Sequence, residues 1–409
     1  KFRTMQTSLA GKVLFITGAS RGIGKAIGLK AAKDGAKVVV VAKTKEPHPK
    51  LPGTIFTAAQ EMNDAGGQGL AVCADIRNEQ DVTKAVEATV SEFGGIDIVV
   101  NNASAISLTG TAATPMKRYD LMHGVNGRGT FLTTQACLPH LEKSDHAHIL
   151  TISPPLNLNP RWFKNHVAYT TAKYNMSMNA LGWAEEFREK GIASNCLWPR
   201  TAIETAAMEM LGGAEALDQC RTVDIMADSA HYILRSDPRE YTGRFLIDEE
   251  VLQQFEPSVD LDKYAVNPDA KLMPDFFLDA ADYEFSQQAP NQAVNLSNSE
   301  SNSASPVAQL FTEMEARMTP ETVKKVNGTY RFDVKDGSGK VDSWLVDLKS
   351  GSGSIENKQG EADCTIEMSE ENLIKLAKGK LNPQMAFFSG KLSITGNVEL
   401  ALKLSKILK

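Results

Sequence analysis

Short, mostly apolar runs recur through the first 250 residues, at Val13–Thr17, Lys37–Ala42, Leu70–Ala74, Ile96–Val100, His148–Ile152, Ile192–Trp198 and Phe245–Ile247. Between them lie amphipathic segments such as Gly22–Asp34, Glu79–Phe93 and Lys164–Lys190. Strands that are apolar on both faces and alternate with helices predict a parallel sheet covered on both sides. Right-handed crossovers then make it an α/β fold, a doubly wound parallel Rossmann sheet of about seven strands.

The pattern changes after Tyr283. From Gln287 to Pro306 the chain is rich in Gln, Asn, Ser and Ala and nearly free of large apolar residues. Such a stretch buries too little surface to order itself and predicts a flexible linker. The expected organisation is a first domain over 8–285, a linker over 286–306 and a second domain over 307–409. Pro257, Pro268, Pro274 and the Phe276-Phe277 pair predict an irregular extension packed on the first domain. In the second, a helix over Val307–Met318 precedes strands at Gly328–Val334, Ser343–Asp347 and Ala362–Met368. A helix over Ser369–Lys378, the segment Asn382–Phe388 and an amphipathic stretch over Val398–Leu408 complete a smaller α+β domain.

Composition narrows the function. Over 409 residues the hydrophobic share is 42%, the charged share 23% and the net charge -6, so no basic field favours nucleic acid as a partner. No apolar run approaches the roughly 18 residues of a transmembrane segment. Five cysteines (Cys73, Cys137, Cys196, Cys220, Cys364) are scattered without a close pair, which argues against a disulfide framework or a cysteine zinc site. His146-Ala147-His148 reads either as a strand entrance or as a metal pair, and with no acidic or cysteine cluster beside it no metal site is expected. Both ends read as incomplete or processed. The lead before Met5 is too short for a signal peptide, and Ile407-Leu408-Lys409 is not a Ser-Lys-Leu-type peroxisomal tripeptide.

The chemistry concentrates around a glycine-rich turn, Thr17-Gly18-Ala19-Ser20-Arg21-Gly22-Ile23-Gly24, between the first strand and the first helix. Glycines there let the backbone approach a pyrophosphate, and the helix N-terminus offers free N–H groups and a positive dipole. Gly18, Ser20, Arg21, Gly22, Ile23 and Gly24 are therefore candidate dinucleotide contacts. The second strand ends Val41-Ala42-Lys43-Thr44, with no carboxylate before Glu46. Arg21 and Lys43 without an anion favour a 2′-phosphate, hence NADP(H), although Lys43 also reads as a solvated residue. Asp75 could accept from the adenine amino group. Asn101-Asn102-Ala103 follows the fourth strand at the ligand-binding edge, with Asn102 a further cofactor candidate. Capping or turn formation is the other reading of Asp75 and of both asparagines.

Tyr169 and Lys173 stand one helical turn apart. A phenol has a pKa near 10, so acting as a base at neutrality needs a shift worth roughly 4 kcal/mol. A lysine on the same helix face and an oxidised nicotinamide both push that way, which points to proton transfer accompanying hydride transfer.

Thr17–Gly24, Asn101–Ala103, Asn126, Ser153, Tyr169 and Lys173 together resemble the short-chain dehydrogenase/reductase family over residues 8–250. The resemblance implies that Tyr169 is the acid/base and that Lys173 binds the cofactor ribose and tunes the phenol. Ser153 would orient the substrate oxygen, and Asn126 would hold a water linking Lys173 to solvent. It adds Thr201 to the cofactor contacts and implies a homo-oligomer, a dimer or tetramer. Two departures stand out. Ser153 precedes Tyr169 by sixteen residues (169 − 153), with the extra length in Pro154-Pro155-Leu156-Asn157-Leu158-Asn159-Pro160, a stiff loop expected to wall the substrate cleft. The usual Asn-Ala-Gly ends in Ser104, and the usual Pro-Gly after the sixth strand is Pro199-Arg200.

Gly379 to Leu392, followed by Ile394-Thr395-Gly396-Asn397, resembles the sterol carrier protein type-two domain, which encloses an apolar tunnel for fatty acyl chains and sterols. The resemblance makes Met385, Phe387, Phe388, Leu400 and Leu404 candidate lipid contacts; by patterning alone they read as a packed core. The two domains in this order resemble a family associated with lipid metabolism, peroxisomes and mitochondria. The expected function is reduction of a lipid-derived carbonyl, or oxidation of the alcohol, beside a lipid-binding carrier domain. The alternative is a lipid-transfer protein whose reductase domain mainly senses the nucleotide.

Overall fold

The computed structural model describes residues 5–47, 53–278, 306–316, 318, 323, 326–336, 340–351, 353–377, 386, 391–397 and 400. The chain divides into two compact units, one from residues 1–209 and 214–288, the other from 210–213 and 289–409. Nearly all of the expected linker, 286–306, lies outside the described residues.

In the first unit β1 (Val13–Thr17), β2 (Lys37–Ala42), β3 (Gln68–Cys73), β4 (Ile98–Asn101), β5 (His148–Ile152), β6 (Ala193–Trp198) and β7 (Phe245–Ile247) form one seven-stranded sheet. Its order is β3-β2-β1-β4-β5-β6-β7, and every pairing is parallel. β1, β4, β5 and β6 are buried along their whole length, as continuous apolar runs require when helices cover both faces. The connecting helices are α1 (Gly22–Lys33), α2 (Ile55–Asp64), α3 (Glu79–Phe93), α4 (Met116–Met122), α5 (Thr130–Leu141), α6 (Val167–Glu186), α7 (Ala206–Gly212), α8 (Asp224–Arg235) and α9 (Asp248–Phe255). One apolar core packs α1, α2 and α8 on β1 and β2, and another holds Phe15, Val39, Val99 and Trp183. Strand order reverses between β1 and β4, so a crevice opens at their carboxyl ends, where doubly wound sheets bind ligands.

The second unit is a mixed five-stranded sheet, order β10-β9-β8-β11-β12, from β8 (Gly328–Lys335), β9 (Val341–Leu348), β10 (Ser354–Glu356), β11 (Cys364–Ser369) and β12 (Leu392–Gly396). β8 pairs with β11 in parallel and the other pairings are antiparallel. β8 alternates buried and half-buried residues, the mark of a sheet with one covered face. Phe311 of α10 (Pro306–Ala316) and Leu373 and Leu376 of α11 (Glu370–Ala377) join Tyr330, Phe332 and Val346 in its core. The edge strands β10 and β12 add to the three strands read from the sequence. Ser354-Ile355-Glu356 carries one apolar residue, too few to stand out from a loop.

Candidate active site

The glycine turn bends where β1 meets α1. Gly18 has φ +70°, and a Cβ there would lie 2.9 Å from Ala103 Cα, so only glycine fits. No side chain caps α1, and its first turn holds no acid, leaving its N–H groups to face an anion. Thr17 Oγ1 accepts from the N–H groups of Asn102 and Ala103, both at 3.1 Å. Asn102 Nδ2 donates to the carbonyls of Thr17 (3.0 Å) and Gly18 (3.2 Å). Asn102 therefore braces the turn, the structural half of its two readings. An open, uncapped helix start beneath a glycine turn fits a dinucleotide pyrophosphate.

Arg21 Nη2 donates to Thr44 Oγ1 (3.2 Å) and to the Gly53 carbonyl (3.1 Å), which sets its guanidinium beside the end of β2. Lys43 stands there too, and the fold corrects one expectation. Asp75, thirty-two residues on in sequence (75 − 43), reaches Lys43 Nζ at 3.5 Å, so the corner is not free of anions. Arg77 grips the same carboxylate at 2.6 Å and holds it well below the usual carboxylate range. With both oxygens of Asp75 accepting from Arg77, an adenine amino group meets an acceptor already engaged. Arg77 gives the corner a third cation. Ser20 is buried, and Thr201, beyond β6, is buried with its Oγ1 unpartnered among the described residues. An unpartnered buried hydroxyl at this edge fits a group that takes its hydrogen bond from a ligand.

α6 carries Tyr169 and Lys173 at the carboxyl end of β5. Tyr169 is 5% exposed in a cluster with Met122, Tyr174, Trp198, Ile247 and Phe277. No hydrogen bond holds its hydroxyl among the described residues. Burial first, and then Asp275, push its pKa upward. The expected depression by Lys173 is not seen; desolvation sets the direction. Lys173 is buried as well, and its Nζ donates to the Ile152 carbonyl at 2.9 Å, 5.2 Å from the centre of the Trp198 ring. Burial brings the ammonium down to about 8, with Asp275 pulling it back up.

Asn126 and Ser153 occupy the family positions, each with hydrogen-bond partners inside the protein. Asn126 lies in a π-helical stretch, His123–Gly129, between α4 and α5. Its side chain accepts from the Ala105 N–H (2.8 Å) and donates to the Ala105 carbonyl (3.0 Å), bracing the segment after β4. Ser153 is fully buried and donates to the Lys173 carbonyl at 3.0 Å, with Ser177 on its other side. Its hydroxyl is turned onto the α6 backbone. The cause is local: the N–H of Ser153 prolongs the β5–β6 pairing (3.2 Å to the Leu197 carbonyl), and Pro154-Pro155 then redirects the chain.

The proline loop borders an open groove. Pro155, Leu156, Asn157 and Leu158 line a cavity of about 430 Å³ with Phe245, Ile247, Phe277 and Leu278. Leu158, 72% exposed, stands on the same loop. Arg200, in the place of the usual glycine, pairs with Glu249 (3.0 Å) and Glu250 (2.5 Å), and Arg221 also pairs with Glu249. His146 and His148 are buried at the entrance of β5, with His146 Nε2 bonded to the Leu234 carbonyl at 2.7 Å. Sequence reasoning missed Asp275, Phe277, Arg77 and Ser177. Pro274-Asp275-Phe276-Phe277 carried the one usable signal, an acid beside an aromatic pair.

In the second unit Leu400 is buried, and its carbonyl accepts from the Tyr330 hydroxyl at 2.8 Å. Met385, Phe387, Phe388 and Leu404 lie outside the described residues, as do most of Asn382–Phe388 and Val398–Leu408.

Known proteins divide the chain in the same way. Residues 12–215 match a short chain dehydrogenase model and residues 308–409 an SCP-2 sterol transfer family model. Hydroxysteroid dehydrogenase-like protein 2 of Danio rerio is 53% identical, covering 98% of this chain and 97% of its own. The Homo sapiens protein of that name is 50% identical with the same coverage. A short chain dehydrogenase structure from Mycobacterium thermoresistibile is 51% identical (TM-score 0.63), covering 66% of this chain and 96% of that one. The chain belongs to the family these relatives represent, hydroxysteroid dehydrogenase-like protein 2, in which a short-chain dehydrogenase domain with its oxidoreductase fold is joined to an SCP-2 lipid-binding domain.

Proposed function

We propose that the first unit is an NADP(H)-dependent reductase, or reversible dehydrogenase, for a lipid-derived carbonyl, fatty-acyl or steroid-like. The second unit binds the same class of lipid and raises its local concentration. The observation that carries the reading is Tyr169, a phenol with no hydrogen-bond partner among the described residues, set in an apolar cluster one turn from Lys173. NADPH, when bound, supplies the hydride for the carbonyl carbon. Tyr169 donates its proton to the carbonyl oxygen; a phenol held protonated by burial suits that direction. Lys173 stabilises the phenolate that remains. Met122, Trp198, Ile247 and Phe277 exclude water and receive the hydrocarbon. Arg21 and Lys43, with Arg77 against the single carboxylate of Asp75, favour a 2′-phosphate over a free ribose hydroxyl.

One observation favours a second reading. Ser153 Oγ donates to the Lys173 carbonyl of α6 and not into the cleft. That suits a lipid carrier whose first unit senses the nucleotide. Calorimetry of NADPH against NADH on wild type and Lys43→Ala, followed by turnover on a lipid-carbonyl series with Tyr169→Phe as control, separates the two. NADPH preference that Lys43→Ala weakens, with turnover that Tyr169→Phe abolishes, supports the reductase. Nucleotide binding without turnover leaves the carrier. Exposed Phe131, Met178 and Leu181 on α5 and α6 support a homo-oligomer, which light scattering tests. Placement in peroxisomes or mitochondria belongs to the same proposal, and organelle fractionation tests it.

A further inference from the structure

The irregular stretch from Met273 to Leu278 is a strap, bonded on one side to the loop after β6 and on the other to the proline loop. The Met273 carbonyl accepts from the Ala202 N–H (2.8 Å), and the Asp275 N–H donates to the Arg200 carbonyl (3.0 Å). Trp198 Nε1 donates to the Phe276 carbonyl (2.9 Å). From the proline loop, Asn157 Nδ2 donates to the Phe277 carbonyl (3.3 Å) and Arg161 Nη2 to the Leu278 carbonyl (3.0 Å). Loop and strap therefore form one wall. Phe277 is fully buried in it with φ 73°, a conformation that a bulky side chain adopts only when its surroundings hold it there. Four rings hold it: Trp162, Tyr169, Tyr174 and Trp198, with centres 5.3 to 6.2 Å away.

The groove of about 430 Å³ runs along this wall. Leu156, Ile247, Phe277 and Leu278 line it and also belong to the apolar cluster around Tyr169, so groove and phenol share one set of side chains. No ionisable side chain lines it among the described residues, and Asn157 turns its amide to the strap. Such a lining suits hydrocarbon and opposes a charged head group. Phe277 borders the groove and packs on Tyr169 while itself fully buried, so its ring parts the one from the other. We propose that Phe277 is a specificity-determining residue of the reductase site, and that the groove takes the tail of a linear acyl chain whose carbonyl lies at Tyr169. This rests on the reductase reading above and chooses between the two substrate classes it leaves open. A polymethylene tail turns about its single bonds and rounds the ring into the groove. A fused steroid nucleus is rigid and meets a ring that four others hold in place.

The test is the chain-length profile of the full-length protein with NADPH, read as kcat/KM on linear aldehydes from butanal to hexadecanal and on one 3-ketosteroid. Wild type should gain about fourfold per added methylene until the groove is full and then level off. It should use the steroid about tenfold less well than the best aldehyde, or worse. Leu158 is exposed on the groove, so Leu158→Ser leaves the fold intact. That variant should lose about tenfold more on long chains than on short ones, through KM. Phe277→Leu should move the plateau to longer chains and narrow the steroid gap by about tenfold. A profile flat in chain length, a steroid used as well as the best aldehyde, or equal losses at all lengths in Leu158→Ser overturns the proposal and leaves the reductase reading standing. Light scattering that shows Leu158→Ser losing an oligomer, with its profile unchanged, assigns the groove to a contact between copies and overturns it too. Wild type that reduces no carbonyl with NADPH overturns the reductase reading itself, and this inference with it.

Discussion

Trp198 Nε1 donates to the Phe276 carbonyl at 2.9 Å, joining the end of β6 to the strap that packs on Tyr169. The same indole ring takes the Lys173 ammonium at 5.2 Å and stacks edge-on to Phe277 at 5.8 Å. One side chain thus links the proton-transfer pair to a segment more than a hundred residues away in sequence from Tyr169.

Removing the two halves of that link should have unequal costs. Trp198→Phe keeps a ring for Lys173 and for packing but loses the donor, and should cost about 1 kcal/mol. Phe277→Ala empties a fully buried site among Tyr169, Tyr174, Trp162 and Trp198, and should cost about 3–5 kcal/mol. Denaturation of the first unit, followed by intrinsic fluorescence, checks the order. A smaller loss for Phe277→Ala than for Trp198→Phe would mean that the strap detaches instead of leaving a cavity.

Ser153 and Tyr169 should separate structure from chemistry. Tyr169→Phe removes a hydroxyl without a partner among the described residues, so folding and NADPH affinity should hold while turnover falls by about 10²–10⁴-fold. Ser153→Ala removes a buried donor to the Lys173 carbonyl and a partner of Ser177. It should lower stability by about 1–2 kcal/mol and cut turnover far less than Tyr169→Phe. Thermal melts and steady-state rates on both variants decide it. A collapse of turnover in Ser153→Ala with unchanged melting would assign Ser153 the substrate-orienting role.

The sheet was legible because its strands are apolar runs of the right length, and four of the seven boundaries coincide with the sequence reading. The glycine turn and the Tyr169–Lys173 spacing were legible for a similar reason: both are local patterns, set within one turn or one helix face. What escaped depends on contacts far apart in sequence. Asp75 meets Lys43 only because β2 and β3 are neighbours, which no residue near either position announces. Phe277 packs on Tyr169 from more than a hundred residues downstream, through an irregular segment without periodicity. Ser153 escaped differently. Its spacing from Tyr169 was visibly long, but its bond to the Lys173 carbonyl, across twenty residues, is not written in that spacing.

Asp248 should make stability fall as pH rises. It is fully buried at the start of α9, with Oδ1 accepting from the Arg200 N–H (2.9 Å) and the Glu249 N–H (2.8 Å) and Oδ2 unpartnered among the described residues. Burial pushes its carboxyl up to about 7 from an ordinary value of 3.8, against the pull of Arg200 and Arg221. Between those values the folded chain holds a proton that the unfolded chain has released, so this group's contribution declines with rising pH across the window. Asp248→Asn keeps the Oδ1 acceptor and cannot ionise. Urea midpoints at intervals from pH 4 to pH 8 should therefore fall less steeply in the variant than in wild type, and the two curves should diverge most above pH 7. His148, buried and held neutral, works the other way by destabilising the fold as pH drops below its ordinary 6.5. Because that histidine is untouched, its contribution is the same in both curves and cancels in their difference. Parallel curves across the whole range would show that Asp248 is ionised in the fold, its charge met by Arg200 and Arg221.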